Sequence, residues 1–200
     1  MTAVRRLVLC RHGRTAWNVD RRFQGHADPP LDLVGQAQAD TLAAALAEAV
    51  ERPSFVLSSD LRRAADTAAA VGAVWGLPVR TDARLREVDV GGWEGLDRAE
   101  VALRHPDELA AWQAGADIRR GGGETRADAG ERVAAALVAA VDELGPGDVG
   151  VVVGHGVSLQ AALRALGDRT FPHLGNGEWL VAVFGDERPA SRRTLAWEGA

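Results

Sequence analysis

The run Val149–Val153, valine and glycine throughout, constrains this chain more than any other stretch. It has no polar alternation, so both of its faces face something apolar. A strand covered on both sides belongs inside a parallel sheet flanked by helices. It leads straight into Gly154-His155-Gly156. A second apolar strand, predicted over Arg5–Cys10, leads in the same way into Arg11-His12-Gly13.

Strand and helix signals alternate along the rest of the chain. Phe55–Ser58 reads as a short buried strand, and Trp179–Phe184 and Arg193–Trp197 as further strands joined by a polar turn around Asp186–Pro189. Helices are predicted over Leu33–Val50, Asp60–Trp75, Glu108–Ala114, Glu124–Leu144 and Val157–Leu166, punctuated by Pro53, Gly76, Pro78 and the Gly145–Asp148 turn. This order implies an α/β fold: a three-layer sandwich with a mainly parallel central sheet and helices on both faces. No repeat or linker divides residues 1–200, which read as one domain. The glycine-, arginine- and tryptophan-rich stretch Gly91–Gly123 reads as an irregular insertion at about 91–123, lying over the active site.

Ligands of open α/β sheets bind outside the carboxyl ends of the strands. Both His-Gly pairs are expected there, at strand-to-helix turns. Gly13 and Gly156 let backbone approach a ligand, and amides opening the next helix face an anion. Arg11 lies beside His12. Arg63, near the start of the helix after the Phe55–Ser58 strand, can point at the same edge, as a surface arginine or as a ligand; Arg62 reads as solvated. Guanidinium forks match phosphoryl oxygens, so the expected ligand is a phosphoryl group. Glu87, in LREVDVGGWEGL, suits a protonated carboxylic acid that hands a proton to a leaving oxygen, with Asp89 and Glu94 as rivals.

Composition narrows the chemistry. Net charge is -5, which excludes a chain-wide basic footprint for nucleic acid or acidic membranes. All 23 basic residues are arginine and there is no tyrosine, so Schiff-base lysine and tyrosine chemistry are out. Cys10, the single cysteine, ends an apolar run and reads as a core residue in a reducing compartment. The longest apolar stretch, Val133–Val141, is far short of the roughly 20 residues that span a bilayer, and the Leu7–Cys10 run is too short for a signal peptide. A cytoplasmic location and no membrane partner are expected. There is no His-x-x-x-His or paired-aspartate metal motif; His26, His105 and His173 are scattered and read as structural or solvated.

The motifs together resemble the histidine phosphatase superfamily, with its phosphoglycerate mutase-like fold. RHGRTAWN resembles its Arg-His-Gly-x-Thr-x-x-Asn signature. FQGHADPPLDLVGQAQA resembles the stretch that follows, SSDLRRAADTA the arginine motif, LREVDVGGWEG the acid motif, and VVVGHG the second histidine. GGGET resembles a structural segment before the long helix. They occur in order from Leu7 to about Val183.

The resemblance implies a phosphohistidine at His12, with Arg11, Arg63 and His155 holding phosphoryl oxygens and Glu87 as acid and then base. It implies helper roles for Asn18, Gln24 and an amide near Gly156. It implies no cofactor and no metal, with arginines in the place of magnesium. Position 14, often Glu or Gln in relatives, is Arg14, at the pocket mouth or solvated. The expected activity is a metal-independent phosphomonoesterase acting on a small phosphorylated metabolite; a homodimer is left open. The alternatives are mutase-type phosphotransfer and a non-catalytic phosphate-binding module. The mutase branch carries a longer insertion with a tyrosine and a lysine, both absent here. A protein phosphohistidine phosphatase is disfavoured by GGWEG. NGEWLVAVF resembles an actinobacterial subgroup acting on glucosyl-3-phosphoglycerate, although broad phosphomonoesterases and phosphatases of cobalamin-loop assembly share the motifs. Arg119 and Arg120 suit either a second anionic group of the substrate or a solvated loop, and Trp93, Trp112 and Trp179 either a pocket wall or the core.

Overall fold

The computed structural model describes residues 4–168, 170, 172–185 and 195–198. The elements run β1 (Arg5–Arg11), α1 (Ala16–Val19), α2 (Leu33–Ala49), β2 (Val56–Ser58), α3 (Arg62–Trp75), β3 (Val79–Thr81), α4 (Arg98–Arg104), α5 (Pro106–Gln113), α6 (Arg126–Asp142), β4 (Val149–Gly154), α7 (Gly156–Ala165), β5 (Trp179–Phe184) and β6 (Leu195–Glu198). The sheet order is β3-β2-β4-β1-β5-β6. β3, β2, β4 and β1 are mutually parallel, and β5 and β6 join antiparallel. The expected sandwich with a mainly parallel sheet is the observed architecture. The expected turn at Asp186–Pro189 and the first residues of the last predicted strand, Arg193 and Thr194, lie outside the described residues.

Strand residues alternate between two cores, as the period of two requires. Leu7, Leu9 and Val152 pack with Leu137 of α6 and Leu163 of α7. Val8, Cys10, Val151 and Val153 pack with Leu42 and Leu46 of α2 and Ala64 and Val71 of α3. Each fully buried leucine in these layers contributes about 1.5–3 kcal/mol relative to its exposed state.

Local chemistry sets the helix ends. Asp32 caps α2 by accepting from the Gly35 amide, and Thr125 and Asp128 form a reciprocal capping box that starts α6 at Arg126, two residues later than the pattern suggests. Gly76 ends α3 in the left-handed region, with φ of 61°.

The stretch Gly91–Gly123 is not irregular. It holds α4, α5 and single helical turns at Gly91–Trp93 and Arg120–Gly122. A small core of its own, Val90, Trp93, Leu96, Val101 and Leu109, packs against Phe23, Trp112 and Ile118. The Asp97–Glu100 capping box and Pro106 at the first turn of α5 start these helices. α5 is the helix expected over Glu108–Ala114, begun two residues earlier; α4 is too short, with too few apolar residues, to show its period. β3 escaped notice because a three-residue edge strand has too little pattern to read. No helix among the described residues is long and apolar enough to cross a membrane.

Candidate active site

β1 and β4 are adjacent and in register, with Arg11 opposite Gly154. One residue further on, His12 and His155 leave the sheet side by side. Their ring centroids are 5.0 Å apart and their planes meet at 61°. Both rings are buried. The Asn176 side chain donates to the His12 carbonyl at 3.0 Å and helps fix the turn.

The His12 ring has a defined direction. Nδ1 lies 2.7 Å from the Gly13 carbonyl, which can only accept, so Nδ1 carries the proton and Nε2 keeps its lone pair. Burial pushes the His12 imidazole well below the usual range; Arg63 lowers it further, the Gly13 bond opposes, and Arg11 lowers it again. Burial likewise lowers His155, followed by the charges of Arg63, His12, Arg11 and His26. Neither ring nitrogen of His155 has a hydrogen-bond partner among the described residues.

A cleft of about 160 Å³ opens over His12, walled by Arg11, Arg63, Arg120 and Glu87, with Asn18 and Gln24 at its side. Arg63, second residue of α3, is wholly buried. Its Nη1 donates to the Ala27 carbonyl at 2.7 Å and its Nη2 to Gly25 at 2.9 Å, while Nε has no partner among the described residues. Arg11 Nη1 donates to the Leu174 carbonyl, and its Nε likewise has none among them. Arg120 is 7% exposed, and its Nη2 too has no partner among the described residues. Burial lowers the pKa of all three guanidiniums and the Glu87 charge opposes it. Arginine stays protonated regardless. Buried donors without partners are costly, and several around one hollow call for an anion.

Glu87 is the only carboxylate lining this cleft among the described residues. Its Oε1 accepts from the Ser158 amide at 2.8 Å and from Val88 at 2.9 Å, and its Oε2 accepts from Val157 at 3.2 Å. Both oxygens accept here, whereas the protonated carboxyl expected from the sequence would donate through one. Of the amides that open α7, those of Val157 and Ser158 are spent on Glu87, and the Gly156 amide is not bonded to it. The glycine at 156 has a steric use as well. A Cβ there would sit 3.2 Å from Arg11 Nε, so glycine makes room for that guanidinium.

The Glu87 carbonyl accepts from His26 Nε2 at 2.9 Å and Arg132 Nη2 at 3.2 Å. His26 is thus structural, one of the two readings its sequence allows, and its contact is with the backbone of Glu87. The rivals are elsewhere: Asp89 Oδ1 accepts from Gly91 and Glu94 Oε1 from the His26 amide.

Asn18 and Gln24 reach the cleft through Thr15. Asn18 Oδ1 accepts from the Thr15 amide at 3.0 Å in the capping box of α1, and Gln24 Oε1 accepts from the Thr15 hydroxyl at 3.1 Å. Arg22 also lines the cleft and was not singled out from the sequence; it is paired with Glu100 at 2.8 Å. The structure separates the arginine pair of the 119–120 loop: Arg119 binds Asp128 at the surface, and Arg120 turns inward. Gly91 and Gly121 explain the turn. A Cβ on Gly91 would meet the Gly121 carbonyl at 2.3 Å, so two glycine loops touch, and Arg120, next to Gly121, lines the cleft. Arg14 pairs with Asp32 away from the cleft, Arg62 with Asp66, and Trp93 and Trp112 meet Phe23 edge to face. Trp179 packs with the β1–β4 core.

Residues 7–194 match the Histidine phosphatase superfamily (branch 1). The chain is 42% identical over 188 residues to the glucosyl-3-phosphoglycerate phosphatase of Mycobacterium tuberculosis, covering 88% of this chain and 83% of that one. It is 37% identical over 201 residues to phosphoglycerate mutase-like protein 4 of Arabidopsis thaliana, covering 90% and 84%. The solved structure of a mycobacterial glucosyl-3-phosphoglycerate phosphatase with VO3 superposes with a TM-score of 0.83 at 35% identity, covering 96% of this chain and 98% of that one.

Proposed function

The chain belongs to the histidine phosphatase superfamily and is a phosphatase of a small phosphorylated metabolite; on that premise we propose that His12 is its nucleophile and that its substrates carry a second anionic group beyond the phosphoryl. His12 Nε2 attacks phosphorus as the ester P–O bond breaks, giving phosphohistidine. Arg11, Arg63 and His155 hold the equatorial oxygens through the donors they leave unpartnered. Glu87 protonates the departing oxygen. For this step Glu87 is in its carboxylic acid form, and the proton it gives up is the one it regains from water. Glu87 then accepts a proton from water, which attacks phosphohistidine and releases inorganic phosphate. The net reaction is ester plus water to alcohol plus phosphate.

Arg120 carries the substrate reading. A third buried arginine with a free donor lines a cleft whose phosphoryl site already has two. A carboxylate on the leaving group gives it a bidentate partner. Glucosyl-3-phosphoglycerate, the substrate in the name of the similar mycobacterial phosphatase, has both groups. The 91–123 segment acts as the insertion that delivers Arg120. Absence of tyrosine and lysine favours hydrolysis over mutase transfer.

The test is phosphate release from a panel of phosphorylated metabolites with EDTA present. Glucosyl-3-phosphoglycerate and 3-phosphoglycerate should be hydrolysed faster than neutral sugar phosphates. Equal rates would remove the second-anion reading, and interconversion of 3- and 2-phosphoglycerate without phosphate release would overturn hydrolysis.

A further inference from the structure

A second cavity, of about 390 Å³, opens between α6 and α7. It meets the catalytic cleft at Val157, which lines both. We propose that this groove seats a neutral, polyhydroxylated part of the leaving group, a sugar ring; the inference rests on the catalytic roles proposed above for His12 and Glu87.

Direction comes first. In-line displacement puts the leaving oxygen opposite His12 Nε2. The acid that protonates it is Glu87, whose Oε2 is bonded to the Val157 amide. Val157, 38% exposed, stands next to that acid and on the rim of the cleft, so a way out for the group on the leaving oxygen runs past it. The groove begins there.

The lining fits a sugar. Ala127, Ala161 and Ala165 give short apolar surface for the C–H face of a ring. Gln160, Glu131 and Arg164 stand around it with no side-chain partner among the described residues, offering both donors and acceptors. Hydroxyls both donate and accept, so they match this mixture better than an anion does. Charges balance: Arg126 is paired with Asp117, and Glu131 offsets Arg164. The anionic part of the substrate has Arg120 on the cleft side. The volume lies within the range of small-molecule sites.

The experiment measures kcat/KM for p-nitrophenyl phosphate, 3-phosphoglycerate, glucosyl-3-phosphoglycerate and a disaccharide phosphate without a carboxylate. Ala165→Trp fills the groove at an exposed helix position, and Gln160→Ala removes a hydroxyl partner. Melting curves check that both variants fold. KM for the two glucosylated substrates should rise about tenfold in each variant, with p-nitrophenyl phosphate and 3-phosphoglycerate held within about twofold. Uniform loss on all four, or none on any, overturns the groove. So does a wild-type enzyme indifferent to the glucosyl group. Should both glucosylated substrates be preferred regardless of the carboxylate, the groove stands and the second-anion reading of Arg120 falls.

Discussion

His12 and His155 meet edge to face, 5.0 Å between ring centroids, with two arginines of the same cleft close enough to lower both imidazoles. Burial first, and then the neighbouring positive charge, keeps the rings neutral, and a neutral imidazole has the lone pair a nucleophile needs. His12→Ala should abolish the trapped phosphoenzyme and cut turnover by about 10⁴-fold or more. Rapid quench with labelled substrate checks this, and retained labelling would rule out His12. In the wild type, the rate of phosphoenzyme formation should not halve near pH 6.5, because burial and then Arg63 push the His12 titration well below that value.

The same shifts make stability depend on pH. Unfolded histidine takes up a proton below about pH 6.5. The folded rings resist until a lower pH, so the unfolded chain binds more protons in between. Stability is therefore full above about pH 6.5 and falls as pH drops through the window below it. Each histidine contributes a slope of up to about 1.4 kcal/mol per pH unit. Asp60, held low by its bond to Arg86, acts in the same direction only in the lower carboxylate range. Urea unfolding at pH 7.5, 6.5, 5.8 and 5.0 should show the loss, and His155→Asn should remove about half of it. A flat profile over that window would mean the rings protonate in the folded state.

Glu87 reaches the cleft from a coil, and its role shows in the leaving group. Glu87→Gln keeps the shape and removes the proton. Alkyl phosphates should slow by about 10²–10⁴-fold, while p-nitrophenyl phosphate, whose leaving oxygen needs little protonation, should slow far less. Equal losses on both would take the acid role away from Glu87.

Much of this site is legible in the sequence because strand ends are. VGVVV and LVLC announce buried parallel strands, and their register puts His12 beside His155. Arg63 needed the family resemblance, since nothing local separates it from solvated Arg62. Arg120 was left open for a physical reason. Its burial depends on the contact of Gly91 with Gly121, thirty residues apart, and one sequence does not show which glycine loops touch. The Asp97–Glu100 capping box of α4 was there to be read, but only seven helical residues follow it. Glu87's carboxylate was assigned a proton because a phosphate pocket repels it; the α7 amides that hold it belong to an element 70 residues later.

Arg120→Leu should leave the phosphoryl chemistry in place and remove recognition of a carboxylate. We expect kcat/KM for 3-phosphoglycerate and glucosyl-3-phosphoglycerate to fall about 10- to 100-fold, a loss typical of a charge-assisted pair, with p-nitrophenyl phosphate nearly unchanged. Steady-state kinetics on the three substrates decides it. An equal fall on all three would make Arg120 a holder of the phosphoryl group itself.

Arg132 positions Glu87 without entering the cleft. Its guanidinium forks onto Glu124 at 2.6 and 2.8 Å and donates to the carbonyls of Arg84, Arg86 and Glu87 at 2.7, 3.1 and 3.2 Å. Lysine keeps the charge but cannot span Glu124 and three carbonyls from one ammonium. Arg132→Lys should therefore loosen the segment that carries the acid. Stability should fall by about 1–3 kcal/mol, and kcat should fall about tenfold on alkyl phosphates, with less effect on p-nitrophenyl phosphate. Competitive inhibition by inorganic phosphate should not change, because Arg11 and Arg63 are untouched. A merely structural arginine would lower the melting temperature and leave the leaving-group dependence where it was; that result would end the positioning role. Retention of the wild-type ratio between alkyl and p-nitrophenyl substrates is thus the number to measure, at a temperature where both variants are folded.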